Sequence, residues 1–94
     1  MKESRFQSKV IKWFESIGGY VVNIWGGGYQ RAGIPDLLIC YKGRFVALEL
    51  KTDMGKVHEL QHYNIDEIHK AGGFARILRP SEFKEFQSEV LEWI

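Results

Sequence analysis

Residues 33–51 read GIPDLLICYKGRFVALELK. Two apolar runs of strand-forming residues flank Lys42-Gly43, a pair typical of the two-residue turn of a β-hairpin. Counting back from that turn sets Asp36 directly opposite Glu49 at the open end of the hairpin. Opposed side chains in an antiparallel pair point to the same face, and Lys51, two positions beyond Glu49, shares that face. The sequence therefore predicts that two carboxylates and one lysine converge there.

This predicted cluster has the chemistry of a divalent-metal site. Two adjacent buried carboxylates repel each other, and a hard dication removes that conflict. Mg²⁺ takes one or two carboxylates together with waters and phosphate oxygens, so Asp36, Glu49 and the backbone carbonyl of Leu50 are candidate ligands. Lys51 beside the metal would orient or stabilise an attacking water. The alternative is a salt-bridged strand end in which Lys51 pairs with either carboxylate.

These residues resemble a known family signature. Pro35-Asp36 followed by Glu49-Leu50-Lys51 matches the PD-(D/E)xK nuclease pattern. More narrowly, the Gly-Ile-Pro-Asp-Leu run at 33–37, the Glu-Leu-Lys-Thr run at 49–52 and Gln61 resemble the virus-type replication-repair nuclease domain, VRR-NUC. The resemblance extends from Glu3 to about Leu78. It implies a restriction-endonuclease-like α/β fold and a Mg²⁺- or Mn²⁺-dependent endonuclease acting on DNA.

The resemblance also implies roles for two residues outside the hairpin. Glu3 falls on the apolar face of a predicted first helix, where a carboxylate needs a partner, and family members carry a first-helix Glu that points at the metal site. Gln61 lies among apolar residues of a second predicted helix, where a buried amide needs a hydrogen-bond partner. In the family a Gln at this place lines the active site. Glu3 and Gln61 therefore complete the predicted catalytic set of Asp36, Glu49 and Lys51.

The family resemblance further implies a substrate and an assembly. Standalone members resemble homodimeric resolvases of four-way (Holliday) junctions, which predicts branched DNA as the substrate and a role in DNA repair. A non-catalytic DNA-binding module with the same fold is the alternative. The formal net charge of +1 gives little guidance about partners, because a nuclease with balanced charge can still cluster its cations around the site.

Candidate DNA contacts flank the predicted site. Residues 26–33 form a glycine-rich loop before the catalytic strand, in which Gln30 and Arg31 would contact phosphates and Tyr29 would stack on an unpaired base. Lys56, after the hairpin, is a further candidate for phosphate binding. The alternative is that the loop only connects two strands.

The order of predicted elements defines the fold class. Helical periodicity covers about residues 3–17, a strand follows at 20–25, and the hairpin supplies two more strands. A second helix at 56–71 would bury Val57, Leu60, Asn64, Ile65, Ile68 and Ala71. A fourth strand at 74–78 and a last helix with Ser81 as N-cap complete the order αβββαβα, with helices flanking a small mixed sheet. The last helix would pack on the core or on a second subunit through a face made of Phe83, Phe86, Val90 and Trp93. The 94 residues are expected to form one domain, 1–94.

A second motif competes with the nuclease signature. His58-Glu59-Leu60-Gln61-His62 spells H-E-x-x-H, which on a helix is the zinc-metallopeptidase pattern. Its histidines lie toward the outer side of the predicted apolar stripe, and no downstream motif fixes a third ligand. A zinc metallopeptidase therefore remains an alternative, weaker than the nuclease.

Composition gives expectations about the cellular compartment and about membrane insertion. No apolar run approaches the roughly 20 residues that a membrane span needs, and the N-terminus lacks the apolar segment of a signal peptide. The single cysteine, Cys40, is interpreted as a small buried hydrophobe. A chain without an intramolecular disulfide agrees with the cytoplasm of a bacterial or phage-infected cell.

Overall fold

Three α-helices and one four-stranded sheet make up the part of the chain that the structure describes. A computed structural model describes residues 2–24 and 32–93. The elements are α1 (Glu3–Ser16), β1 (Tyr20–Asn23), β2 (Leu37–Tyr41), β3 (Arg44–Leu50), α2 (Glu59–Lys70), β4 (Phe74–Leu78) and α3 (Phe83–Leu91), with a 3-10 turn at Pro80–Glu82. The predicted order αβββαβα is confirmed.

The sheet is mixed, with strand order β1-β2-β3-β4. β1 pairs antiparallel with β2, and β2 pairs antiparallel with β3. β3 and β4 are parallel, because α2 carries the chain back between them. The predicted small mixed sheet is therefore confirmed.

Helices cover both faces of the sheet and create two apolar layers. α1 and α3 pack on one face through a large cluster that includes Phe14, Leu48 and Phe86. α2 covers part of the opposite face through a smaller cluster centred on Ala47, Ile65 and Ala75. Residues 46–50 of β3 are all buried, since this central strand is covered on both faces. For the last helix, packing on the core is the alternative that the structure supports.

The hairpin turn fixes the register that positions the candidate site. Lys42 and Gly43 have φ values of +50° and +76°, the positive pair that a type I′ turn requires. Tyr41 pairs with Arg44, and the ladder runs to Leu37 opposite Leu48. The next residues along the two strands are Asp36 and Glu49, so the predicted register is confirmed.

Gly33 occupies a position that no side chain can share. Its φ is +83°, and a Cβ there would lie 2.6 Å from the carbonyl carbon and oxygen of Leu60. The segment before β2 therefore approaches the backbone of α2 closely. This contact gives a structural reason for glycine at the start of the Gly-Ile-Pro-Asp run.

We expect Gly33→Ala to lower the free energy of unfolding by about 3 kcal/mol, because it adds a backbone clash to the cost of positive φ. Urea denaturation measures the change. The matched control is Gly72→Ala, where φ is +96° but nothing lies within 4 Å of the added Cβ. That variant should lose only about 1 kcal/mol, and equal losses at the two positions would contradict the account.

The second helix is shorter than the sequence predicts, and fewer of its residues are buried. It begins at Glu59 rather than at 56. The Gln61 side-chain oxygen accepts from the His58 N–H at 2.9 Å, and this hydrogen bond caps the start of the helix. Asn64 and Ile65 are buried, but Leu60 is 53% exposed and Ala71, the C-cap residue, is exposed. The prediction that Leu60 and Ala71 face the core is wrong, because the buried part of α2 is centred on Asn64 and Ile65, and Leu60 and Ala71 lie at the two ends of the helix.

Two further predictions about single residues are wrong. Cys40 is exposed, because it lies on the sheet face that α2 covers only in part. Ser81 is not the N-cap of the last helix, since the cap positions are Arg79 for the 3-10 turn and Glu82 for α3. The Ser81 N–H instead donates to Asp53 Oδ1 at 3.1 Å.

Candidate active site

Asp36 directly precedes β2, and its hydrogen bonds join this point to the ends of β1 and β3. Its carbonyl oxygen accepts from the Ile24 N–H at 2.8 Å. Its carboxylate Oδ2 accepts from the Leu50 N–H, also at 2.8 Å. The carboxylate is therefore anchored against the end of β3 and brings the Leu50 backbone to the same place.

Glu49 is the buried carboxyl group of the site, with only 4% of its surface exposed. Its Oε2 accepts from Gln61 Nε2 at 2.8 Å. Burial, followed by the negative charge of Asp36, raises the pKa of Glu49 from 4.5 to about 8, although Lys51 opposes the rise. The carboxyl is thus held in a pocket that disfavours its charged form when no cation is bound.

Lys51 extends along the same face, directly after β3. Its Nζ lies 3.9 Å from Glu49 Oε2, and its side chain is 15% exposed. The Lys51 N–H donates to the Leu78 carbonyl at 3.1 Å, which ties it to the end of β4. The predicted convergence of Asp36, Glu49 and Lys51 is present in the structure.

Glu3 approaches the cluster from the first turn of α1. The residue is exposed, yet its carboxylate is close enough to contribute to the raised pKa of Glu49. Gln61 of α2 is thus in direct contact with Glu49, whereas Glu3 of α1 acts on it through its charge. Their catalytic roles stay predictions.

The donor set fits a hard divalent cation. Asp36 and Glu49 offer carboxylate oxygens, and a dication would relieve the repulsion between the half-buried Asp36 and the buried Glu49. Among residues 2–24 and 32–93, no cluster of three or more His, Cys, Asp or Glu side chains is arranged to hold a metal. Two carboxylates with a backbone carbonyl and waters match the habits of Mg²⁺ better than those of Zn²⁺.

The H-E-x-x-H motif does not form a zinc site in the described part of the chain. His58 precedes α2 as its N-cap, with extended backbone, so it is not part of the helix on which the zinc pattern needs both histidines. Both His58 and His62 are exposed. The ring of His69 contacts the Ala75 carbonyl at 2.7 Å instead of joining them. No observation favours the metallopeptidase alternative.

The predicted DNA contacts are only partly visible. Tyr29, Gln30 and Arg31 lie outside the described residues. Lys56 is exposed in the segment between β3 and α2, so it is available to a phosphate. These four assignments stay predictions.

Two residues that hold neighbouring segments in place were not predicted to do so from the sequence. Arg79 Nη1 donates to the Thr52 carbonyl at 2.7 Å and to the Asp53 carbonyl at 3.3 Å, which holds the loop that follows Lys51. Asn64 Nδ2 donates to the Ala32 carbonyl at 3.2 Å and joins α2 to the segment before β2. An asparagine within an apolar helix face was the one available hint, because a buried amide requires partners.

We expect Gln61→Ala to lower the free energy of unfolding by about 2 kcal/mol at pH 6, because two hydrogen bonds are lost. One of these holds Glu49 and the other caps α2. Urea denaturation measures the change. The matched control is Gln87→Ala, a half-buried glutamine of α3 on the other side of the sheet, which should change by less than about 0.5 kcal/mol. A Gln61→Ala variant as stable as this control would contradict the assigned contacts.

Comparison with solved structures identifies the fold. One solved structure, a VRR-NUC domain, superposes with a TM-score of 0.77 over 98% of this chain and 97% of its own, at 26% sequence identity. The chain has the fold of a VRR-NUC domain. The resemblance drawn from the Gly-Ile-Pro-Asp and Glu-Leu-Lys runs is therefore confirmed. No family model and no curated protein sequence matches the chain.

A second solved structure has a similar fold. Hjc, a Holliday junction resolvase from the archaeal hyperthermophile Archaeoglobus fulgidus, superposes with a TM-score of 0.63. The match covers 81% of this chain and 66% of that protein, at 15% identity. At that identity the likeness establishes a shared fold. No helix among the described residues is long and apolar enough to cross a membrane.

Proposed function

We propose that this protein is a Mg²⁺- or Mn²⁺-dependent DNA endonuclease that hydrolyses phosphodiester bonds. One observation carries the proposal: Asp36, Glu49 and Lys51 converge at the open end of the hairpin in a nuclease fold, with Glu49 buried and held by Gln61. A salt bridge with a purely structural role would need only one carboxylate beside Lys51, whereas two carboxylates lie together here.

The residues that would hold the cation are Asp36, Glu49 and the carbonyl of Leu50. When bound, a divalent metal supplies charge neutralisation at the phosphate and lowers the pKa of a water. Gln61 donates to Glu49 Oε2 and fixes that oxygen, and the Asp36 carboxylate lies beside the same group. Because the Leu50 N–H holds Asp36 Oδ2, the two carboxylates start in nearly fixed positions, which limits the reorganisation needed on binding.

Lys51 and Glu3 have supporting roles in the proposed reaction. The ammonium of Lys51 would orient the attacking water or stabilise the charge that grows on the phosphate. Glu3 would reach the site through a water. Attack in line with the leaving oxygen would give a 5′-phosphate and a 3′-hydroxyl.

The proposed substrate is branched DNA, with the four-way junction preferred. A domain of 94 residues offers little surface for reading base edges, so recognition of DNA shape is favoured over recognition of sequence. The solved neighbour Hjc is a Holliday junction resolvase, and we propose the same class of substrate here. A homodimer would supply one active site for each of two strands. We place this activity in DNA repair in the cytoplasm.

The test compares four DNA substrates: a four-way junction, a flap, a nicked duplex and a plain duplex. Each is incubated with Mg²⁺, with Mn²⁺ and with EDTA. We expect cleavage only with metal, and a junction rate at least about tenfold above the duplex rate, equivalent to ~1.4 kcal/mol in the barrier. A protein that retards these DNAs in a gel but cuts none of them is a binding module and not a nuclease.

A further inference from the structure

One side of α1 carries a row of cations. Lys2, the N-cap residue, is followed by Arg5, Lys9 and Lys12 at spacings of three, four and three positions. Residues three or four apart are neighbours on a helix surface, so the four side chains lie along one side of α1. All four residues are exposed. They are here called the cationic stripe.

The charges of the cationic stripe are not neutralised by neighbouring carboxylates. In the part of the chain that the structure describes, the ion pairs join Lys51, Lys70 and Arg76 to glutamates, and none of them involves the stripe. At about 100° per residue, the two glutamates of α1, Glu3 and Glu15, fall outside the arc that the stripe occupies.

The charge of the whole chain makes this row distinctive. The stripe contains four of the thirteen lysines and arginines, and the formal net charge is only +1. The rest of the chain, taken together, is therefore net negative. The positive charge of the protein is concentrated on one side of one helix, which favours an anionic partner at that place.

The cationic stripe begins at the candidate active site. Lys2 directly precedes Glu3, whose carboxylate is close enough to act on Glu49 through its charge. A helix rises 1.5 Å per residue, so the stripe extends about 15 Å from this end of α1. Farther along, Lys9 Nζ lies 5.9 Å from the centre of the Phe83 ring, at the first turn of α3. The stripe thus leads from the site along the outer surface of the helix layer.

The length of the stripe fits the spacing of phosphates in duplex DNA. One strand places a phosphate every ~3.4 Å along the duplex axis, so a length of ~15 Å corresponds to about four phosphates. Four exposed cations over that length match those phosphates in number. Lysine and arginine contacts to phosphates hold DNA without reading its bases, which agrees with a substrate recognised by its shape.

We infer that the cationic stripe binds the backbone of the duplex arm that adjoins the phosphodiester bond to be cleaved. The inference rests on the proposed nuclease function and assigns the path of its DNA substrate. Lys2 and Arg5 contact the phosphates nearest the candidate active site, and Lys9 and Lys12 contact those farther along the arm. The stripe supplies affinity and orientation and takes no part in the chemical step.

The experiment measures DNA binding in EDTA, so that its outcome does not depend on cleavage. Fluorescence anisotropy follows a labelled plain duplex at several salt concentrations, with the wild-type chain, Lys12→Gln and Lys9→Gln/Lys12→Gln. Each phosphate contact contributes about one unit to the slope of log affinity against log salt concentration. We expect the slope to shrink by about one in the single variant and by about two in the double variant, and the affinity to fall by at least about threefold for each lysine removed.

Two controls separate the stripe from the charge of the chain and from packing. Lys70→Gln makes the same change as Lys12→Gln on α2, which covers the opposite face of the sheet, and it should leave the slope unchanged. Lys9→Arg/Lys12→Arg retains both charges and should retain the wild-type slope, because a phosphate contact requires the cation. Thermal unfolding verifies that each variant is folded.

The inference and the proposed function fail in different ways. A wild-type chain that does not bind the duplex, a slope unchanged in Lys9→Gln/Lys12→Gln, or an equal loss in Lys70→Gln and Lys12→Gln would overturn the inference, even if the protein cuts DNA. A protein that loses slope as expected but cuts no DNA with Mg²⁺ or Mn²⁺ would support the stripe as a DNA-binding surface and overturn the proposed nuclease activity.

Discussion

Asp36→Asn is expected to reduce metal-dependent cleavage of junction DNA by about 1000-fold, since removing a charged metal ligand costs several kcal/mol of transition-state stabilisation. The asparagine oxygen can still accept from the Leu50 N–H, so the fold is preserved. Single-turnover cleavage rates measure the loss. Gel retardation in Ca²⁺ should show DNA binding close to that of the wild type.

The matched control for this substitution is Asp66→Asn, an exposed aspartate of α2. It removes the same charge from the same-sized side chain and should cut at the wild-type rate within about twofold. Asp36→Asn cutting as fast as this control would show that Asp36 holds no metal.

Lys51→Ala is expected to give a folded protein that binds DNA and fails to cleave it.

In metal-free buffer, we expect the free energy of unfolding to fall as the pH rises from about 4.5 to about 8. Burial beside Asp36 raises the pKa of Glu49 from 4.5 to about 8 in the folded protein. Between these values the folded chain retains a proton that the unfolded chain has released, so raising the pH favours unfolding. The slope should approach about 1.4 kcal/mol per pH unit and vanish above the upper value.

Urea denaturation at several pH values in EDTA measures this slope. Glu49→Gln should abolish it, whereas Glu67→Gln, which removes an exposed carboxylate paired with Lys70, should leave it unchanged. Mg²⁺ added at pH 8 should restore stability to the wild type but not to Glu49→Gln, because a ligand stabilises only the state that binds it. A flat wild-type profile would contradict the raised pKa of Glu49.

The sequence predicts the hairpin well because local geometry determines it. Lys42-Gly43 adopts the positive φ values of a tight turn, and a two-residue turn leaves one register for every pair that follows. The opposition of Asp36 and Glu49 is therefore a local property. Gln61 was predictable for a different reason, since an amide on an apolar helix face needs a partner.

Features that depend on the packing of distant elements were not predictable. Cys40 is exposed because α2 covers only part of its sheet face. The residues near Cys40 in the sequence do not indicate how much of the face α2 covers. The Arg79 contact with Thr52 spans 27 positions. The start of α2 depends on a cap supplied by the same Gln61 that holds Glu49, so one side chain decides both the helix boundary and the site.

A crystal of this protein soaked in Mn²⁺ tests the central claim most directly. We expect one anomalous peak between the Asp36 and Glu49 carboxylates, about 2.2 Å from an oxygen of each, with the Leu50 carbonyl in reach. An absent peak at this position in crystals that bind Mn²⁺ elsewhere, for example at His58 or His62, would contradict it.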